Sequence, residues 1–249
     1  MLLRCQLEQW DKSARSKLCT NVHKDGENSP FFIACGKGCL DIVKYMINVC
    51  KANLELKGVY KSNESIHETI HSVTPLWYAA VSAQLEIVKI LIRNGANINS
   101  VSNSGSTPVR AACFMSHLEI VKFLVENNAD IQMTNNFGGT CLINSVQSTE
   151  LSKFLLEKGA SVNAQDAGNR TALHYAIKEN HIETAKILLN HGADPLLKSN
   201  TDEDALETAC IYGRIELFNI LVDQGVYNSE CVDSGFDRLG CKLLMPMIS

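Results

Sequence analysis

The sequence contains no Cys-x-x-Cys pair, no glycine-rich phosphate loop and no nucleophile elbow. No apolar run approaches the ~18 residues that a transmembrane helix needs. The start, MLLRCQLEQW, lacks the apolar centre of a secretory signal, and Asp11 follows closely on Glu8. Neither sign of charge is in large excess: the formal net charge is −4 and the pI about 6.0. These absences speak against bulk binding of nucleic acid or anionic membrane, and they imply a cytoplasmic, or also nuclear, protein. The ten cysteines, at 5, 19, 35, 39, 50, 113, 141, 210, 231 and 241, are scattered. They read as reduced and mostly packed. What is present is ordinary: 249 residues, 45% hydrophobic and 20% charged. That suffices for one large domain or an elongated repeat array.

A repeat is there. TPLWYAAVSAQLEIVKILIRNGANIN begins at Thr74, and TPVRAACFMSHLEIVKFLVENNADIQ begins 33 residues later at Thr107. Related segments start at Thr140, again after 33, at Thr171 after 31, and at Asp204 after 33. An earlier one, SPFFIACGKGCLDIVKYMINVC, starts at Ser29. Length and wording resemble the ankyrin repeat. Thr74 reads as a helix N-cap with Pro75 at the first helical position, where the missing N–H costs nothing. Ala79 and Ala80 let two helices approach closely. Leu85, Ile87, Val88, Leu91 and Ile92 are the apolar set of a second helix, which Gly95 ends. The fold expected is an all-α ankyrin solenoid of about six repeats over residues 29–226. Residues 1–28 are expected to form an N-terminal capping segment, and 227–249 an irregular tail. The repeat at Thr140 is two residues short, which predicts a shortened first helix or turn.

The step from Ser29 to Thr74 is 45, so extra residues are inserted at about 58–73. They contain SIHETIH, Ser65 to His71, with the His-Glu-x-x-His spacing of zinc hydrolases. That chemistry needs His67 and His71 on one helix face, a third ligand, and Glu68 holding a water. The extended motif would place Gly at 74 and His at 77, where Thr74 and Trp77 stand. The motif therefore reads as a polar, solvated loop, with no metal or cofactor expected. Zinc hydrolysis through His67, Glu68 and His71 is the remote alternative. Cys35 and Cys39 fall on packing positions. His117, His174 and His181 sit at repeat positions where local hydrogen bonding is the rule.

Ankyrin stacks bind partners with hairpin tips and exposed first-helix positions. Here those are Trp77, Tyr78, Val81 and Ser82 in one repeat, and Arg110, Ala111, Phe114 and Met115 in the next. Tyr175, Lys178 and Glu179 follow later. Trp77 and Arg110 replace the usual histidine. Aromatic residues and Arg dominate binding hot spots, and Arg110 suits a carboxylate. The competing reading packs Trp77 beneath the insertion and pairs Arg110 with a hairpin acid.

STPVRAACF, Ser106 to Phe114, followed by HLEIVKFLVENNAD, closely resembles the third ankyrin repeat of the feminization-1 (Fem) family. TPLWYAA, TCL and TALH continue the match in order, and the insertion before TPLW sits where that family carries one. The resemblance covers roughly 29–226 and is specific around 74–139. It implies a substrate receptor of cullin-RING ubiquitin ligases, whose repeats hold the C-terminal tail of a target, often one ending in arginine. The pocket residues it implies are Ser106, Arg110, Phe114 and Trp77. Two departures stand out: Met115 replaces the motif's Asp, and the insertion reads NESIHETIH without the family's FDG element. Either Glu64 or Glu68 substitutes from the insertion, which becomes one wall of a peptide pocket, or the pocket prefers an apolar end against Phe114 and Met115. The second is favoured. The family recruits elongin and cullin through a C-terminal box. GFDRLGCKLLMPMIS contains no convincing box helix, so ligase components are expected to act through a region absent from this chain.

The sequence thus predicts a non-enzymatic protein-binding module. Its expected partner-binding residues are Trp77, Tyr78, Ser106, Arg110, Phe114, Met115, Glu64 and Glu68. The first alternative is a generic ankyrin scaffold or decoy without a ligase link.

Overall fold

The computed structural model describes residues 29–61 and 69–226. The expected capping segment 1–28, the tail 227–249 and the tip of the insertion lie outside the described residues. The chain divides into two compact units, Met1–Asn136 and Phe137–Ser249. Repeats pack mainly on their neighbours, so an array has no core common to all of its members and can part between two of them. No helix among the described residues is long and apolar enough to cross a membrane.

The N-terminal unit contains α1 (Pro30–Lys37), α2 (Leu40–Asn48), β1 (Gly58–Lys61), β2 (Thr69–Val73), α3 (Pro75–Val81), α4 (Leu85–Arg93), α5 (Pro108–Phe114) and α6 (Leu118–Glu126). Helices of seven to nine residues do not persist alone in water, so packing must hold them. The first helices stack in a row, α1 on α3 and α3 on α5, and the second helices form another, α2 on α4 and α4 on α6. Ala79, Ala80 and Ala112 are fully buried and permit the close approach. α4 buries Ile87, Val88 and Leu91, and α6 buries Ile120, Val121 and Leu124 in the same register. Each such side chain contributes about 1.5–3 kcal/mol. Thr74 Oγ1 accepts from Trp77 N–H at 3.2 Å, and Thr107 Oγ1 from Arg110 N–H at 3.3 Å, so both first helices start as the Thr-Pro pairs predict. Gly95 turns the chain after α4 at φ 88°. Asn128 makes the same turn after α6 at φ 68°.

The C-terminal unit contains α7 (Cys141–Asn144), α8 (Thr149–Glu157), α9 (Ala172–Lys178), α10 (Ile182–Asn190), α11 (Ala205–Ile211) and α12 (Ile215–Asp223). The missing residues of this repeat are taken from its first helix, which has four residues. Buried serines stitch the shortened turn. Ser145 Oγ donates to Leu142 O at 2.8 Å and lies 2.9 Å from Ser152 Oγ.

Among the described residues the fold is all-α ankyrin apart from β1 and β2, which pair antiparallel with Tyr60 opposite Ile70. The expectation of a polar, solvated loop is corrected for the part of the motif that is described: residues 69–71 are strand, while residues 65–68 lie outside the described residues. The described flanks of the insertion form a β-ribbon whose apolar side, Tyr60 and Ile70, is packed. A second correction concerns the cysteines: Cys50 is disulfide-bonded, whereas Cys35, Cys39, Cys113, Cys141 and Cys210 are free. Spacing along the chain does not report which thiols a fold brings together. Burial raises the thiol pKa of Cys35 far above its ordinary value, with a smaller push from Cys39. That fits a packing role.

Candidate functional site

The strongest concentration of recognition-type side chains lies on the first-helix row of the N-terminal unit. Phe32 of α1, Trp77 and Val81 of α3, Ala111 of α5, Leu56 and Val73 form one buried cluster. Tyr60, Ile70 and Tyr78 pack against it and are partly buried. Tyr78 stacks on Phe32 with centroids 4.7 Å apart. Tyr60 of β1 meets Trp77 edge-on at 5.3 Å and Tyr78 at 5.6 Å. Such pairs add about 0.5–1.5 kcal/mol beyond burial.

Two glycines permit this assembly. A Cβ on Gly36 would collide with the Tyr78 ring, so the ring lies flat on α1. A Cβ on Gly58 would stand 2.6 Å from the Phe32 ring, so only glycine lets β1 sit down there. The register irregularity between Gly58 and Tyr60 falls at the same place.

The ribbon is tied in at its other edge as well. His71 N–H donates to Asn103 Oδ1 at 3.0 Å, and Asn103 N–H donates to His71 O at 3.1 Å. Asn136 continues the row: its N–H donates to Ser104 O at 3.0 Å, and its side-chain amide to Asn103 O at 2.9 Å. Position 71 therefore belongs to a strand within the row of hairpin tips. A helix presenting residues 67 and 71 on one face, which the zinc pattern requires, is not formed. His67, Glu64 and Glu68 lie outside the described residues. No three His, Cys, Asp or Glu side chains gather in metal-binding geometry among the described residues.

The sequence-predicted residues separate into two groups. Trp77 is 3% exposed. Its expected place on the open surface is corrected, because the ribbon covers it. Its Nε1 has no hydrogen-bond partner, so the indole acts through burial and its edge-on contact with Tyr60. Tyr78 is half-buried in the ring stack. Ser106 is buried, and its N–H donates to Ser102 Oγ at 3.1 Å. Arg110 is half-buried, and its Nη1 donates to Ser106 Oγ at 3.1 Å. Phe114, one turn further along α5, is 58% exposed, and Met115 is 43% exposed. Phe114 and Arg110 thus share a helix face. Sequence reasoning missed Phe32, Tyr60 and Ile70. Phe32 was legible, since it fills in its own repeat the place that Trp77 and Arg110 fill in theirs. Tyr60 and Ile70 needed the strand pairing.

In the C-terminal unit the comparable positions are occupied internally. Tyr175 Oη donates to Asp166 Oδ2 at 2.6 Å, and the Arg170 guanidinium lies over the Tyr175 ring at 5.0 Å. Burial raises the Tyr175 pKa to about 12, helped by its bond to Asp166. Burial also pushes the Asp166 carboxyl up. Hydrogen bonds from Tyr175 and the N–H groups of Arg170 and Gly168, with the Arg170 charge, outweigh it and hold the carboxyl below its ordinary value. The Lys178 carbonyl accepts from Arg214 Nε at 3.1 Å and Nη2 at 2.6 Å. His174 is buried and bonded at both ring nitrogens within its own repeat.

Comparison with known proteins agrees with this architecture. The family model for ankyrin repeats (3 copies) matches residues 6–102, 60–135, 128–199 and 143–233. A mouse protein fem-1 homolog A-like is 37% identical over 190 residues, which is 70% of this chain and 28% of the mouse protein. A Drosophila melanogaster protein fem-1 homolog is 42% identical over 79 residues, or 32% of this chain and 11% of the fly protein. A putative E3 ubiquitin-protein ligase of Arabidopsis thaliana is 44% identical over 62 residues, 24% of this chain and 16% of its own length. The chain spans less than a third of the length of each of these relatives. With repeats of this period and construction, it belongs to the ankyrin-repeat family, and its repeat region is of the fem-1 homolog type.

Proposed function

We propose that the first-helix face of the N-terminal unit holds the C-terminal tail of a protein partner, and that the chain is the substrate-recognition part of a cullin-RING ubiquitin ligase receptor. One observation carries the binding site. A buried serine, Ser106, holds the guanidinium of Arg110 beside two exposed apolar side chains, Phe114 and Met115. A held Arg is suited to a carboxylate in two-point fashion, and an adjoining apolar surface is suited to a side chain next to that carboxylate. Trp77 and Tyr78 act from below, by fixing the ribbon and the helix row on which Arg110 stands. Likeness to fem-1 homologs supports the ligase part of the reading.

Arg110→Ala tests the site. Peptides with free C-termini are expected to bind the unaltered chain and to lose at least tenfold in affinity to the variant, with far-UV helicity retained. Equal affinity for both proteins sinks the assignment. For the ligase link, elongin and cullin should co-purify with a longer form of the chain. If neither does, the chain is a scaffold that binds tails without a ligase.

A further inference from the structure

We infer that the terminal side chain accepted by this site is apolar, aliphatic or thioether in kind, and is seated on Phe114 and Met115 while Arg110 takes the terminal carboxylate. The inference rests on the tail-binding reading above and adds to it the chemistry of the last residue. Its first support is the distribution of charge. Among the described residues, α1, α3, α5, β1, β2 and the hairpin over 97–106 carry Lys37, Lys61, His71 and Arg110, but no Asp or Glu. The carboxylates described in this unit stand on second helices or beside Asn97 and Asn99 at the start of that hairpin. Asp41, Glu86, Glu119 and Glu126 are on second helices. Glu55 Oε1 accepts from Asn97 N–H at 2.7 Å, and Asp130 Oδ1 from Gln132 N–H at 2.8 Å. A face of this kind attracts the negative end of a chain. Among the described residues, these elements themselves offer no counter-charge to a terminal lysine or arginine, whose head would be stripped of water without a partner.

The second support is shape and polarity. Phe114 and Met115 are exposed large apolar side chains at the end of α5, on or next to the face of Arg110. An apolar terminal residue removes both from water. The unbranched thioether of Met115 can adapt to side chains of different outline. An acidic terminal residue would place a second charge against this apolar pair and lose that gain.

The test uses the full chain and ten-residue peptides of one common body ending in Leu, Met, Arg or Asp, each with an amidated twin. Leu- and Met-ended peptides are expected to bind at least tenfold more tightly than the Arg-ended one, and amidation should weaken them. Met115→Asp places a carboxylate on the seat and should reverse the order in favour of Arg. Phe114→Ala should weaken the Leu end more than the Arg end. Both substituted residues are exposed, and circular dichroism checks that the helices persist. If the Arg-ended peptide binds as tightly as the Leu-ended one, and amidation still weakens both, the inference fails while the tail-binding reading stands. An Arg preference removed by Glu64→Gln with Glu68→Gln overturns it in the same way. If no peptide binds, or amidation has no effect, the underlying reading itself fails.

Discussion

The residue three places after the N-cap of the first helix does different work in the two units. In two repeats of the C-terminal unit, those starting at Thr171 and Asp204, it closes its own helix. His174 Nδ1 accepts from Thr171 N–H at 3.1 Å, and Nε2 donates to Glu203 O at 3.1 Å. Glu207 Oε2 accepts from Asp204 N–H at 2.9 Å, while Asp204 Oδ1 accepts from Glu207 N–H at 2.9 Å. In the N-terminal unit the same place holds Trp77, buried under the ribbon, and Arg110, bound to Ser106. There the helix start relies on threonine and proline, and the side chain is released for tertiary work. A repeat position freed from capping is therefore where a site should be sought.

The comparison makes Trp77→Ala the most damaging change. Emptying the ring cluster should cost about 3–5 kcal/mol, read as a fall in the urea midpoint followed by circular dichroism. A loss below about 1 kcal/mol would mean the ribbon does not rest on this ring. His174→Ala should cost about 1 kcal/mol through the lost cap, and should leave tail-peptide affinity unchanged. A drop in affinity would erase the distinction between the two units.

Acid should act on the C-terminal unit through Asp166. Its folded pKa lies below the ordinary value. The stability it supplies is therefore complete above the unfolded carboxylate pKa of about 3.9 and is lost as pH falls through the lower, folded value. Tyr175→Phe, which removes the largest of the bonds that lower it, should flatten that acid limb in pH-dependent unfolding. An unchanged limb would show that the Tyr175 bond does not control this carboxyl. The smallest effect concerns the turns. Asn128 holds a left-handed conformation that Gly95 occupies one repeat earlier. Asn128→Gly should raise stability by about 0.5 kcal/mol, visible as a small increase in melting temperature, whereas Gly95→Asn should do the reverse.

Much of this fold is legible in the letters, because a repeat is specified locally. Thr74-Pro75 and Thr107-Pro108 announce helix starts, the apolar set from Ile87 to Leu91 shows which face is buried, and the step of 31 before Thr171 appears as the four-residue α7. Arg110, Phe114 and Met115 were found as candidates by register alone, and two of them prove to be exposed. The ribbon was not found. Its strands have four and five residues and are mixed in polarity, too short for alternation to be separated from chance.

The sequence by itself determined the period, the capping and turn residues, the buried face of each helix and the odd residues at positions 77 and 110. These depend on neighbours within a few residues or one repeat away. Only the tertiary structure decided that the insertion becomes a ribbon seated on Phe32 through Gly58, that Trp77 is covered while Phe114 and Met115 are open, and that His71 joins the hairpin row through Asn103. The reason is physical. Whether an aromatic side chain is core or surface depends on what docks over it, and that docking is settled by shape and hydrogen bonding between segments that the local pattern does not connect.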